Sequence, residues 1–234
     1  MDIRPRSGGS WRRAAPGVIL QAMADEARRL IAILTAHVPD ERVLEAVAAV
    51  PRGLFVPAAL RDRAFENSAL PIGHGQTISQ PLVVARMTEL LELAPRDRVL
   101  DVGTGSGYHA AVLARLARHV WTVERIEELA ATALGALARA GVANVTCLVG
   151  DGARGLPDQA PFDAINVAAA GSAEALERLS AELAPGGRLV APLRRRGGQH
   201  LVLARRPAGG GPCEWTALEP VRFVPLVSGL VDGL

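Results

Sequence analysis

Residues 99–108, Val-Leu-Asp-Val-Gly-Thr-Gly-Ser-Gly-Tyr, constrain this chain more than any other segment. A stretch that reads as a buried strand runs into three alternating glycines, and an Ala/Leu-rich helical stretch follows at once. A strand that turns this tightly into a helix leaves the first helical N–H groups free and lets a ligand approach the backbone closely. The spacing is G-x-G-x-G, with Tyr108 where a dinucleotide fingerprint carries its third glycine. Asp101 is a carboxylate at the end of an otherwise apolar strand, and such a group is costly there without a partner. A cationic amine or sulfonium ligand supplies one; an anionic pyrophosphate does not.

Around this segment strand and helix patterns alternate. Strands are expected at 98–102, 120–124, 145–149, 164–168, 188–191, 199–205 and 221–227, with helices at 108–117, 126–140 and 173–183. That order predicts an α/β fold: a doubly wound, mostly parallel seven-stranded sheet with helices on both faces. Upstream, helices are expected at 18–36, after Pro39-Asp40 (with Val43, Leu44, Val47 and Val50 on one face), and at 81–93. In the last of these Val83, Met87, Leu90 and Leu91 form the buried stripe, and Pro81 suits the first helical position. Residues 52–80 have little periodicity, and so long a loop inside a compact chain is functional or disordered. Leu70, Ile72 and Ile78 argue against disorder. Residues 1–17, rich in Gly, Ser, Arg and Pro, read as a disordered tail. The remainder, 18–234, reads as one domain: a helical and loop cap (18–93, with a substrate loop at 70–81), a ligand-binding core (94–207), and a C-terminal loop and strand (208–234).

Composition narrows the function. With 49% hydrophobic residues the chain can build a core, and a net charge of +2 does not mark a nucleic-acid binder. Aromatics are 3%, too few for a protein that stacks unpaired bases. Cys147 and Cys213 form no metal-ligand spacing with the five histidines, so no metal is expected. No apolar run reaches the roughly 18 residues that span a bilayer, and no signal-peptide pattern opens the chain. The expectation is a cytoplasmic protein without membrane or nucleic-acid partners.

In a doubly wound sheet the ligand lies outside the carboxyl ends of the strands. The first strand ends in Asp101 and the turn Gly103, Thr104, Gly105, Ser106, Gly107. The second ends in Glu124, followed by Arg125, about 20 residues beyond Gly103, the distance at which an acidic residue accepts ribose hydroxyls. The third ends in Asp151-Gly152, suited to an adenine edge. Each has an ordinary alternative: Asp101 as a turn cap, Glu124 as a helix cap, Asp151 as a turn former. Together, three acidic strand ends repel a polyphosphate and suit an adenosine with a cationic tail. The pattern resembles S-adenosyl-L-methionine (SAM) methyltransferases more than dehydrogenases.

The wider chain resembles the protein-L-isoaspartate O-methyltransferase family over roughly residues 38–227. The match runs through Val50-Pro51-Arg52, Phe55-Val56-Pro57, Leu70-Pro71-Ile72-Gly73 and Gly75-Gln76-Thr77-Ile78-Ser79-Gln80-Pro81. It continues through the glycine turn, Gly150-Asp151-Gly152, Ala160-Pro161-Phe162-Asp163, Pro185-Gly186-Gly187-Arg188 and Val221-Arg222-Phe223-Val224-Pro225-Leu226. The resemblance implies a Rossmann-like methyltransferase sheet. It implies methyl transfer from SAM, with S-adenosyl-L-homocysteine as by-product, to the free α-carboxylate of L-isoaspartyl residues in damaged proteins or peptides. The ester then closes to a succinimide. It implies that Ser79 is the active-site residue, orienting the substrate carboxylate, and that Gln76, Thr77 and Ile78 close over the methionine end of SAM. Ser79 as a plain cap of the helix at Pro81 is the competing reading. A monomer is expected.

Departures from the family bear on specificity. His109 and Asp101 stand where the family commonly has glutamine and glutamate, and Val227 where some relatives carry a threonine near the cofactor. Residues 168–173, Ala-Ala-Ala-Gly-Ser-Ala, replace the usual prolines on the substrate side. Alternatives are an isoaspartate-type enzyme dedicated to one peptide, such as a natural-product precursor, and a non-catalytic SAM-binding module. Nucleic-acid amino methylases usually carry Pro-Pro and an aromatic after the fourth strand; here Asn166 is followed by Val167-Ala168. Neither cysteine looks poised as the nucleophile of a cytosine methylase.

Overall fold

The computed structural model describes residues 16–231. The expected tail at 1–17 thus lies outside the described residues, except for Pro16 and Gly17, which open the first helix. In chain order the helices are α1 (Pro16–Thr35), α2 (Glu41–Ala49), α3 (Pro81–Leu90), α4 (Tyr108–Ala114), α5 (Glu127–Arg139) and α6 (Ala173–Ser180). The strands are β1 (Leu70–Gly73), β2 (Gln76–Ile78), β3 (Arg98–Val102), β4 (His119–Glu124), β5 (Val145–Val149), β6 (Phe162–Val167), β7 (Leu183–Arg195), β8 (Gly198–Arg205) and β9 (Glu214–Val221). Among the described residues no helix is long and apolar enough to cross a membrane.

The main sheet has seven strands in the order β5-β4-β3-β6-β7-β8-β9. Strands β3 to β7 run parallel, and β8 and β9 add antiparallel hairpins at one edge. The chain leaves β3 for β4 and β5 on one side and returns to β6 on the other. That reversal opens a crevice at the carboxyl ends of β3, β4 and β6, the place where such sheets bind ligands.

Period-two side-chain alternation sorts the sheet's two faces. Leu100, Ile165, Leu189 and Ala204 pack with Leu176 and Leu179 of α6. Val99, Ala164, Val190 and Leu203 pack with Met87 of α3 and Ala110 and Leu113 of α4. The helices α1 and α2 add a layer over α3 and α4, burying Leu34, Val43, Val47 and Val50 against Val84, Ala111 and Val112. Asp40 caps α2, its side chain accepting the Arg42 N–H.

Four local expectations are corrected. Residues 52–80 are not one loop: two 3₁₀ segments, Arg52–Leu54 and Ala58–Arg63, precede the antiparallel hairpin β1–β2. The hairpin's two-residue turn has positive φ at His74 (50°) and Gly75 (68°), the geometry that matches strand twist. In α3 and its C-cap the buried face is wider than expected: Met87 and Leu91 are buried and Val83 and Leu90 half-buried, and Val84, Ala85 and Thr88 join them. The Pro185-Gly186-Gly187 turn is a register irregularity inside β7 rather than a break before it. The last strand is Glu214–Val221, and 221–227 is instead an irregular segment laid along residue 170, with Ala170 donating to Val224 O (2.8 Å) and accepting from Leu226 N (2.9 Å).

Candidate active site

At the crevice, β3 passes through the glycine turn into α4. Gly103, at φ +94°, donates its N–H to Val123 O (2.9 Å), which ties the turn to β4. Gly107 is the N-cap of α4, at φ +84°, and a Cβ there would stand 3.2 Å from Ala133 Cβ. Only glycine combines that backbone with so close an approach to α5. Glu124, at the end of β4, holds the turn from the other side. Its Oε2 accepts from Gly105 N (2.8 Å) and its Oε1 from Arg125 N (2.9 Å) and Ile126 N (3.1 Å). One carboxylate thus fixes the middle of the turn and the entry to α5.

Behind this wall runs a buried polar chain. Thr104 Oγ1 meets Thr122 Oγ1 (2.7 Å), Thr122 donates to Asp101 Oδ2 (2.7 Å), and Asn166 Nδ2 donates to Asp101 Oδ1 (2.7 Å). The same amide lies 3.1 Å from His109 Nδ1, whose ring reaches Thr88 Oγ1 through Nε2 (3.2 Å). With Asn166 donating to Nδ1, Nε2 carries the proton. Burial pushes Asp101 up to about 6, against the hydrogen bonds from Asn166 and Thr122. Burial holds His109 down at about 3, so its imidazole stays neutral. The partner that the buried Asp101 carboxylate needs is therefore supplied by the protein, not by a cationic ligand.

Opposite the turn stands the β1–β2 hairpin and Ser79. The N-cap of α3 is Gln80, with no side-chain capping bond, so Ser79 is not spent on capping. The first turn of α3 is held instead by Asn67, whose Oδ1 accepts from Leu82 N (3.1 Å).

Two cavities meet here. The first, a cleft, is lined by Gln76, Thr77, Ile78 and Ser79 from the hairpin side and by Gly103, Thr104, Gly105 and Ser106 from the turn. Glu124, Arg125, Ile126 and Gly152 line its far end, and Ala168, Ala169 and residues 224–227 complete it. The second, an outer groove, is lined by Ala69, Gln80, Val83 and residues 220–223. The two share Thr77, Ser79, Ala168 and Val224. A two-chamber site with a hydroxyl at the junction fits transfer of a group from one bound molecule to another.

The sequence profile of the protein-L-isoaspartate(D-aspartate) O-methyltransferase family matches residues 25–231. The chain belongs to this family. A protein-L-isoaspartate O-methyltransferase of Roseiflexus castenholzii is 51% identical over 206 residues, covering 88% of this chain and 93% of that one. One of Myxococcus xanthus is 51% identical over 191 residues, covering 81% and 90%. Among solved structures, a protein-L-isoaspartate O-methyltransferase superposes with TM-score 0.77 at 27% identity, covering 87% of this chain and 67% of that one. A Plasmodium falciparum protein of the same description, crystallised with S-adenosyl-L-homocysteine, superposes with TM-score 0.71 at 26% identity, covering 85% and 97%.

Within this family member, most residues singled out from the sequence gather on the cleft, but three stand behind it. Asp101 is fully buried in the polar chain. Gly107 lies under α5. Asp151 turns its carboxylate to Ala153 N (3.0 Å) and Gly229 N (2.8 Å), away from the lining. Of the three acidic strand ends, only Glu124 lines the cleft. Val227, expected near the cofactor, lines it, as do Tyr108, His109, Ala168, Ala169 and residues 224–226, which the sequence does not single out for that place. The signal for the last of these was the Val221-Arg222-Phe223-Val224-Pro225-Leu226 motif, whose apolar character reads as a strand. Arg125 secures the following residues, its Nε donating to Gly229 O (2.8 Å) and its carbonyl accepting from Val231 N (3.2 Å).

Proposed function

We propose that this chain transfers a methyl group from SAM to the free α-carboxylate of L-isoaspartyl residues in damaged proteins or peptides, with Ser79 as the catalytic residue. The carrying observation is that cleft and groove meet at Ser79. The residues present fit SAM. Glycines 103 and 105 carry no side chain to hold a ligand off the turn, Glu124 supplies a carboxylate for ribose hydroxyls, and Val123, Ile126 and Leu226 offer apolar surface to a flat ring. In this assignment Gln76, Thr77 and Ile78 hold the methionine end, Thr104, Ser106 and Arg125 flank the nucleoside, and Gly152 borders the adenine. Asp101, Gly107 and Asp151 act from behind, by fixing the turn and the 229–231 segment. Residues 18–93 are the cap that presents the 70–81 loop, 94–207 the cofactor core, and 208–234 the closing segment. The enzyme works as a cytoplasmic monomer.

The bound cofactor supplies an electrophilic methyl group on a sulfonium. The chain's own task is positioning. The substrate carboxylate, with an ordinary pKa of about 4, is ionised near neutral pH, so no strong base is required. The Ser79 hydroxyl donates to that carboxylate and holds one oxygen toward the cleft. The α3 N-terminus behind it favours the negative charge. His109 is neutral and committed to Thr88 and Asn166, so it takes no proton. The resulting ester leaves the groove neutral. The adjacent backbone nitrogen then attacks it, expels methanol and closes the succinimide.

The test is methyl transfer from labelled SAM to an L-isoaspartyl peptide beside its normal aspartyl twin. Methylation of the isoaspartyl form alone is expected. Cofactor binding with methylation of neither would overturn repair as the function and favour a dedicated peptide substrate.

A further inference from the structure

Arg52, in the first 3₁₀ segment, is only 2% exposed. Its Nη1 donates to Ala64 O (2.6 Å), and its Nη2 donates to Ser68 O and to Ser79 O (both 3.1 Å). These carbonyls come from three separate points along the 52–80 stretch, and the last belongs to Ser79 itself. The guanidinium carbon lies 5.7 Å from the centroid of the ring of Tyr108, the first residue of α4. One side chain thus joins the Ser79 loop to the start of α4.

Among the described residues no close carboxylate neutralises this cation. Glu66 acts on it only at longer range, being committed to Arg63 through two bonds of 2.9 Å. Arg52 Nε is buried with no partner. Burying a guanidinium without an ion pair costs several kcal/mol, and a guanidinium does not shed its proton to escape that cost. A fold that needed only to satisfy these carbonyls could do so with neutral donors. What the arginine adds is a permanent positive charge, poorly screened, behind a hydroxyl at the junction of two cavities.

The geometry points to Arg52 as a positioning residue for methyl transfer, one that pins the Ser79 main chain and sets a fixed positive charge behind the substrate carboxylate. This rests on the reading of Ser79 given above. The two effects are separable. Pinning governs how well the carboxylate is aimed, and so kcat. The charge attracts the anionic substrate but not the neutral ester, so it favours entry of one and release of the other.

Three proteins test this: the wild type, Arg52→Lys and Arg52→Gln, with an isoaspartyl peptide and its uncharged α-amide analogue. S-adenosyl-L-homocysteine affinity by calorimetry should stay within about twofold in all three. Arg52→Gln should raise KM for the peptide about tenfold and abolish the preferential binding of carboxylate over amide. Arg52→Lys, keeping charge but losing the three-point grip, should retain KM and that preference while kcat falls about tenfold. Equal KM in the two variants, or wild-type kcat and KM with only a lower melting temperature, would overturn the proposal. Should Arg52→Gln fail to fold, Arg52→Lys decides: an unchanged kcat overturns the proposal and a lowered kcat at constant KM supports it. Failure of the wild type to methylate any isoaspartyl peptide would strike at the proposed function. Fluorescence anisotropy of the two labelled peptides would still measure the charge at Ser79, and equal binding would overturn the place given to Arg52.

Discussion

The two walls of the cleft are built on different physics. The glycine-turn wall is part of the parallel sheet. Gly103 is bonded to β4, Glu124 takes three backbone N–H groups, and a buried chain from Thr104 to Thr88 backs the whole. The Ser79 wall hangs from a hairpin of four- and three-residue strands, the Asn67 side chain and one buried arginine. The first wall has many independent supports; the second has few. The lesson is that cofactor binding and substrate presentation can be damaged separately. Substitution of Ser79 itself, or of the side chains that anchor it, should cost turnover while sparing the cofactor, and those behind the turn should do the reverse or affect stability alone.

The sharpest attempt to break that contrast is Ser79→Ala. It should lower kcat/KM for an isoaspartyl peptide about 10³-fold, comparable to losing one well-placed donor, while S-adenosyl-L-homocysteine affinity stays within about twofold by calorimetry. A matching loss of cofactor affinity would show the walls to be one unit.

Asp101→Asn probes the polar chain. Burial raises Asp101 from 3.8 to about 6, so the folded state prefers the protonated form. The stability this group contributes is fully present below the unfolded pKa and is lost as pH rises through about 6. Comparing wild type with Asp101→Asn by urea unfolding, the difference should move by about 2 kcal/mol between pH 4 and 7, the variant gaining on the wild type at neutral pH. Cofactor affinity should change little, because Asp101 does not line the cleft. A large drop would restore it as a direct ligand contact.

Glu124→Ala leaves the N–H groups of Gly105, Arg125 and Ile126 without their acceptor. Cofactor affinity should fall by about 2 kcal/mol, read by calorimetry, with wild-type kcat at saturating cofactor. The smallest effect belongs far from both walls. Asp40→Ala removes the cap of α2 and should cost about 1 kcal/mol in thermal unfolding, with kcat/KM unchanged.

The same contrast governs what the amino-acid sequence discloses. Strands β3 to β6 announce themselves because buried parallel strands are nearly continuous apolar runs, and the glycine turn between β3 and α4 needs residues found in few other places. The hairpin β1–β2 escapes because its strands are too short for a period-two pattern, and Pro71 interrupts the first. Strand β9 is an exposed edge with no apolar alternation, whereas 221–227 is apolar because it covers a cleft rather than because it pairs. Asp101 reads as a ligand contact because its partners, Thr122 and Asn166, lie on neighbouring strands and are joined to it only by the fold. Arg52 is the least visible of all. Its partners are main-chain carbonyls, so nothing in residue identity marks it as buried. Ser79 was found through the family resemblance of its surrounding motif, not through periodicity.

The most direct test of the two-chamber account is a crystal structure with S-adenosyl-L-homocysteine and an isoaspartyl peptide bound together. The account predicts the thioether sulfur in the cleft between the glycine turn and Thr77, the peptide in the outer groove, and its free α-carboxylate about 3 Å from Ser79 Oγ. A peptide carboxylate held elsewhere, with the Ser79 hydroxyl turned to solvent, would contradict it.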